Sequence, residues 1–174
     1  MIIVLAGNTC TGKKTVTKLL SQQTGIKAIP VGDFRRFHKD ESLAWEAFVR
    51  LLRALDTPST APDDSVILTG VKHDRELWAL LETQSFKHLT VVKLEAPLEI
   101  LRERLAKRLR PTENLEVLYE RMLVPGQEWA AQLPAHIVFD TSKLSAEEIA
   151  QRVRQIVTNS SEQTQKSAPT SNMP

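Results

Sequence analysis

Residues 2–15 have the sequence IIVLAGNTCTGKKT, in which a short apolar run leads into a loop with a glycine at each end and a lysine directly after the second glycine. The run Ile2–Ala6 predicts a buried strand, and Gly7 and Gly12 allow the positive φ angles that turn successive N–H groups inward. We expect a helix to begin at Lys13 and to direct its positive end at the same point. This arrangement predicts a site for the phosphates of a nucleoside triphosphate.

The loop follows the G-x-x-x-x-G-K pattern, in which the lysine reaches the β- and γ-phosphates of ATP. One position departs from the strict pattern, because Lys14 stands where a Ser or Thr is usual and the hydroxyl follows at Thr15. We expect the Lys14 side chain to face solvent and Thr15 to contact the Mg²⁺ that accompanies ATP. The predicted ATP-binding residues are Gly7, Asn8, Thr9, Cys10, Thr11, Gly12, Lys13, Lys14 and Thr15.

Length and composition predict one domain that can bury a core, since the chain has 174 residues of which 41% are hydrophobic. The formal net charge of +2 gives no reason to expect a nucleic-acid partner. The apolar run of residues 2–6 is too short for a signal sequence or a membrane span. A single cysteine excludes an internal disulfide and is typical of a reducing compartment. We therefore expect a cytoplasmic protein without a membrane partner, as a monomer or homodimer.

Strand-like and helix-like segments alternate along the chain, which indicates an α/β fold with a five-stranded parallel sheet flanked by helices. The sequence SAEE at residues 145–148 predicts a capping box at the start of the last helix. We expect a domain over residues 1–157 and a disordered polar tail over 158–174, where apolar residues are scarce. The predicted strands are residues 2–6, 27–31, 66–69, 89–95 and 136–140.

A basic stretch precedes Pro111, with a charge of +4 over residues 102–110. Arg104 and Arg108 are four residues apart and share a helix face, so one cluster could approach the transferred phosphate or stack on adenine. A solvated helix face would have a similar composition. We expect Arg104 and Arg108 to be catalytic together with Lys13.

Several segments, in order, resemble those of P-loop nucleoside and nucleotide monophosphate kinases, a group that includes relatives of adenylate kinase, dephospho-coenzyme A kinase and the deoxynucleotide kinases. The resemblance covers about residues 1–157 and implies a helical lid over about 104–134. Thr69 departs from the group, where an acidic residue is common, and so does Lys72, which replaces an arginine. After the phosphate loop, the segments are Gly32–Arg36, Val66–His73, Arg102–Arg110 and Phe139–Ser142.

The resemblance places the acceptor beside Asp33, Arg36 and Lys72. Asp33 is also predicted to be catalytic, as the base for a hydroxyl acceptor, or to orient Mg²⁺ waters or a sugar hydroxyl if the acceptor is a phosphate. A helix N-cap is the alternative role for Asp33. Arg36 and Lys72 would bind an acceptor phosphate.

The predicted function is ATP-dependent phosphoryl transfer, with Mg²⁺, to a small acceptor, first of all a nucleoside monophosphate or related nucleotide. A small-metabolite kinase with a hydroxyl acceptor is the alternative within enzymes. The non-enzymatic alternative is a module that binds ATP without transferring phosphate. The departures from the kinase pattern at Lys14 and Thr69 support this alternative. A nucleic-acid end kinase is a weaker third reading, because aromatic residues make up only 5% of the chain.

Overall fold

The structure is a computed structural model that describes residues 1–31, 40–59, 61–71, 78–79, 81 and 85–166. Strands and helices alternate as predicted. The strands are β1 (Ile2–Ala6), β2 (Lys27–Pro30), β3 (Val66–Val71), β4 (Leu89–Glu95) and β5 (Ile137–Asp140). Among the described residues, the helices with at least four consecutive residues are α1 (Lys13–Thr24), α2 (Glu41–Leu55), α3 (Leu98–Ala106), α4 (Leu115–Leu118), α5 (Val124–Gln132) and α6 (Ala146–Lys166), with a 3₁₀ turn at Pro62–Asp64 and a π-helical turn at Tyr119–Leu123.

The five strands form one parallel sheet in the order β2-β3-β1-β4-β5. The central strand β1 pairs with β3 on one side and with β4 on the other, so Ile3 lies beside both Ile67 and Thr90. The strand order reverses at β1, and in such sheets ligands bind at the carboxyl ends of the strands beside this reversal. The loop that follows β1, which the sequence predicts to bind phosphates, lies at that edge.

The period-two alternation of β1 divides the core between the two faces of the sheet. Ile3 and Leu5 pack with α1 and α6 on one face, whereas Ile2 and Val4 pack with α2 on the other. All five residues of β1 are fully buried, as expected of a strand covered on both sides. The buried sheet therefore holds the loop after β1 on a rigid base.

Four element boundaries differ from those predicted. Strand β2 ends at Pro30, one residue before the predicted end. Strand β3 continues through Gly70 to Val71, with a register shift opposite β1. Strand β5 begins at Ile137. The His136 N–H donates to the Val91 carbonyl at 3.0 Å, and the Val91 N–H donates to the side-chain Nδ1 of His136 at 2.8 Å, so a side-chain atom of His136 takes part in the pairing. Helix α6 continues to Lys166, beyond the predicted start of the tail at Thr158. Its last core residue is Val157, and the Glu and Gln residues that follow have adequate propensity to extend a helix already formed.

Candidate active site

The loop between β1 and α1 has the backbone that its sequence predicts. Gly7 and Gly12 have φ angles of 132° and 88°. A Cβ on Gly7 would overlap the carbonyl oxygen of Leu94, so only glycine fits against β4 there. Cys10 also has a positive φ, 65°, which is uncommon for a residue with a side chain and is concentrated at functional sites.

Lys13 is buried inside this loop rather than extended from it. Its Nζ donates hydrogen bonds to the carbonyl oxygens of Gly7 and Asn8, at 2.7 and 2.6 Å. The side chain is only 9% exposed. The loop therefore fixes a positive charge at the start of α1, where the helix end already favours an anion.

A first cleft of about 430 Å³ lies between the loop, α3 and the start of α6. Arg104 is held at its wall, because its two terminal nitrogens donate to Thr141 Oγ1 at 2.8 Å and to the Thr141 carbonyl at 2.6 Å. The lining residues are Cys10, Thr11, Gly12, Thr15, Val16, Arg104, Lys107, Arg108, Thr141, Leu144, Ser145, Ala146 and Ile149.

The turn after β5 that borders this cleft is held by local hydrogen bonds. Asp140 Oδ1 accepts from the hydroxyl of Ser142 at 2.6 Å and from its backbone N–H at 2.9 Å. These two bonds, the hydroxyl first, lower the pKa of the Asp140 carboxyl below its usual value. The predicted capping box follows, with Glu148 accepting from Ser145 N at 2.8 Å and Ser145 Oγ accepting from Glu148 N at 3.2 Å. The Ser145 backbone N–H first, and its hydroxyl second, favour the ionised Glu148 carboxylate and so lower its pKa below the usual value.

A second cleft of about 660 Å³ lies on the other side of the loop, between α1 and the carboxyl ends of β2 and β3. Thr69, at the end of β3, lines it. Its described lining residues are Thr9, Cys10, Gly12, Lys13, Lys14, Thr15, Thr17, Lys18, Ser21, Gln22, Ala28, Pro30, Thr69, Gly70 and Arg108.

The two clefts meet at a small group of residues that line both of them: Cys10, Gly12, Thr15 and Arg108. A phosphoryl group passed from one cleft to the other would cross this junction. Arg108 and Thr15 are exposed there, so a guanidinium and a hydroxyl are available at the crossing point.

The structure separates the two predicted catalytic arginines. Both line the first cleft, but only Arg108 also reaches the second. Arg104 uses its guanidinium to tie α3 to the turn after β5. The predicted residues Asp33, Arg36 and Lys72 lie outside the described residues.

Lys14 is exposed, as predicted, but its position is more specific than a solvated surface, because it lines the second cleft. Thr15 lies at the junction, where a hydroxyl could contact Mg²⁺ together with phosphate oxygens and water, the ligand set that this ion prefers. Among the described residues, no group of three His, Cys, Asp or Glu side chains could hold a metal ion.

The sequence did not reveal the position of the Asn8 side chain. Asn8 is 3% exposed, and its Nδ2 donates to the Leu123 carbonyl at 2.8 Å and to Gln127 Oε1 at 3.2 Å. Its Oδ1 accepts from Thr9 N at 2.6 Å. Within the predicted ATP-binding loop, Asn8 therefore anchors the loop to α5. The two partners of Nδ2 lie more than 110 positions away, so no local pattern could have found this role.

The region predicted as a lid, residues 104–134, divides into two parts. Leu123 is fully buried against Cys10, Leu101 and Leu105, and Leu133 packs in the core on the α2 side of the sheet. In contrast, most residues from 107 to 117 are exposed. The second part of the region is thus built into the core, whereas the first part is mostly exposed and packs on the core through Leu115.

Structures of known proteins share this architecture. Shikimate kinase from Bacteroides thetaiotaomicron superposes with a TM-score of 0.59 at 19% identity, covering 91% of this chain and 98% of that one. YorR protein from Bacillus subtilis, solved with phosphorylated GDP, gives 0.60 at 20% identity over 91% and 96% of the two chains. A gluconokinase from Sinorhizobium meliloti 1021 gives 0.52 at 18% identity over 95% and 97%.

This chain has the fold of the P-loop kinases. At these identities the likeness shows the fold alone. No protein-family model and no curated protein sequence matches the chain. Within the described part of the chain, every helix is too short or too polar to cross a membrane.

Proposed function

We propose that this protein transfers the terminal phosphoryl group of ATP to a hydroxyl of a small metabolite. The observation that carries the proposal is the pair of clefts that meet at the phosphate loop, with Thr15 and Arg108 lining both. ATP would occupy the first cleft, with its base toward the turn at Thr141 and its phosphates at the loop. The acceptor would occupy the second cleft.

The choice of a metabolite over a nucleotide acceptor rests on the described lining of the second cleft. That lining contains no aromatic side chain on which a base could stack. Two similar folds belong to a shikimate kinase and a gluconokinase, whose names denote hydroxyl acceptors. The fold shared with YorR, solved with phosphorylated GDP, supports the nucleotide alternative that the sequence favours.

Phosphoryl transfer passes through a loose transition state with charge spread over the equatorial oxygens. Catalysis therefore requires mainly that the reacting groups are correctly positioned and that positive charge surrounds the transferred phosphoryl group. The loop N–H groups and Lys13 would bind the β- and γ-phosphates. Arg108 would stabilise the charge that develops at the junction of the clefts. Arg104, held by Thr141, would keep α3 in place beside the nucleotide.

Mg²⁺ bound with ATP would neutralise charge on the β- and γ-oxygens, and Thr15 is the residue placed to contact it. Thr69 supplies no carboxylate at the end of β3, where an acidic residue is common in the group of kinases that the sequence resembles. Asp33 remains the proposed base for a hydroxyl acceptor, and Arg36 and Lys72 remain the proposed contacts for an acceptor phosphate.

The test is a coupled ADP-release screen with Mg-ATP over the ribo- and deoxynucleoside monophosphates, dephospho-coenzyme A, shikimate and gluconate. Turnover with a hydroxy acid supports the proposal, and turnover confined to the monophosphates favours the nucleotide alternative. If ATP binds but none of these compounds is phosphorylated, the result supports the alternative that the protein is a non-catalytic ATP-binding module.

Two substitutions then separate the acceptor classes. For a hydroxyl acceptor, Asp33→Asn removes a general base and should lower kcat by ~10²–10⁴-fold, whereas Arg36→Ala should have a small effect. For a phosphate acceptor the order reverses, because Arg36→Ala loses a charge-assisted contact worth ~1.5–3 kcal/mol and raises the acceptor KM.

A further inference from the structure

One side of α1 presents two lysines to the second cleft. Lys14 and Lys18 are exposed, lie one helical turn apart and line the cleft. Neither forms an ion pair with a described residue. Like charges at this spacing destabilise a helix, and α1 has no acidic residue in its first turn to offset them. A bound anion would relieve this repulsion.

Phosphate binding by the loop accounts for Lys13 but not for these two lysines. Lys13 is buried, and its Nζ is held by the carbonyl oxygens of Gly7 and Asn8 within the loop. Lys14 and Lys18 line only the second cleft and are absent from the lining of the first. Their charges therefore lie on the acceptor side.

Thr17 gives a second, independent indication of a ligand. It precedes Lys18 directly and lines the same cleft, yet it is only 6% exposed. Its Oγ1 is buried and has no hydrogen-bond partner in the described structure. Buried hydroxyl groups nearly always have a partner, so an acceptor atom is expected beside Thr17.

We propose that Lys14 and Lys18, with the Thr17 hydroxyl, bind a permanent anionic group of the acceptor, a carboxylate or a phosphate, that is not the group phosphorylated. The inference rests on the proposed function and specifies its acceptor as a hydroxyl compound with a negative charge. Lysines act as separate point charges, so this subsite selects for charge more than for the planar geometry that arginine recognises.

The experiment measures equilibrium binding to the full chain in Mg²⁺ and a saturating non-hydrolysable ATP analogue, which keeps added anions out of the phosphate loop. Isothermal titration calorimetry compares D-gluconate with D-glucitol, and D-glucose 6-phosphate with D-glucose. The first pair tests a carboxylate and the second a phosphate. Sulfate serves as an anion without an acceptor hydroxyl.

Wild-type protein should bind at least one of the anions at least tenfold more tightly than its neutral counterpart. Lys18→Gln and Lys14→Gln should each weaken that binding on the order of 10–100-fold, and Lys18→Arg should restore most of it. Thr17→Val, which keeps the shape but removes the hydroxyl, should weaken it by a smaller factor. Lys87→Gln is the matched control, because Lys87 is exposed two residues before β4 begins, at the amino end of the sheet.

The proposal is overturned if none of the three anions binds, if neutral and anionic partners bind alike, or if Lys87→Gln weakens binding as much as Lys18→Gln. The proposed function fails separately, when the ATP analogue does not bind or Lys13→Ala leaves its affinity unchanged. An anion response that depends on Lys18 in a protein without phosphoryl transfer would retain the subsite and reject the kinase.

Discussion

Asn8 in the phosphate loop donates a hydrogen bond to the backbone carbonyl of Leu123, 2.8 Å away and 115 positions later in the chain. This bond joins the loop to the last residue of the π-helical turn that precedes α5. Gly126 packs so closely on the Asn8 amide that a Cβ there would overlap Oδ1. The loop conformation and the position of α5 therefore depend on each other.

Asn8→Ala should destabilise the fold by about 1–3 kcal/mol, because it removes the buried partner of the Leu123 carbonyl. It should also weaken binding of an ATP analogue, since Thr9 N loses its bond to Oδ1. Urea unfolding and calorimetry measure the two effects. Gln127→Ala, which removes only the longer bond, should cost less. Equal stability of Asn8→Ala and wild type would contradict the anchoring role.

Gly126→Ala should destabilise by about 1–3 kcal/mol through overlap with the Asn8 side chain. In the double variant with Asn8→Ala the overlap disappears, so its loss of unfolding free energy should be smaller than the sum of the losses in the two single variants. A double-mutant cycle by urea unfolding checks this. If the changes in unfolding free energy are additive, the contact between Gly126 and Asn8 does not affect stability.

Lys13→Ala should abolish phosphoryl transfer and weaken ATP binding, because the loop loses its buried cation. Lys14→Ala should leave ATP binding nearly unchanged, since the Lys14 side chain is exposed and is not held inside the loop as Lys13 is. Kinetics with varied ATP concentration separate the two variants. A larger ATP defect for Lys14→Ala would mean that the register assigned to the loop is wrong.

Arg108→Ala should lower kcat on the order of 10³-fold with little loss of stability, because Arg108 is exposed at the junction of the clefts. Arg104→Ala should instead lower thermal stability and nucleotide affinity, because it breaks both bonds to Thr141. Activity and melting temperature, measured on both variants, check the division. The reverse pattern would return Arg104 to the catalytic role.

An ATP analogue should increase hydrogen-exchange protection over residues 107–118, which are largely exposed, as this segment closes over the nucleotide and excludes water. Residues 123–133 should be protected in both states, because Leu123 and Leu133 lie in the core. Unchanged hydrogen-exchange protection over 107–118 would contradict the prediction that this segment forms a lid. A large change over 123–133 would restore the wider limits predicted from the sequence.

The sequence by itself determined the features that depend on neighbouring residues. The buried strand at residues 2–6, the positive φ angles of Gly7 and Gly12, the strand at 89–95 and the capping box at Ser145 follow from short-range alternation, steric freedom and side-chain hydrogen bonding. Their order along the chain then predicted a parallel sheet.

Only the tertiary structure decided which distant side chains meet. Arg104 and Arg108 share a helix face in the sequence pattern, but Thr141 holds one while the other reaches the junction of the clefts. The sequence predicted that Lys14 would face solvent, but in the structure it lines a cleft whose opposite wall is formed by β2 and β3. Such contacts depend on how elements pack, and periodicity specifies which face of a helix is buried but not what it is buried against.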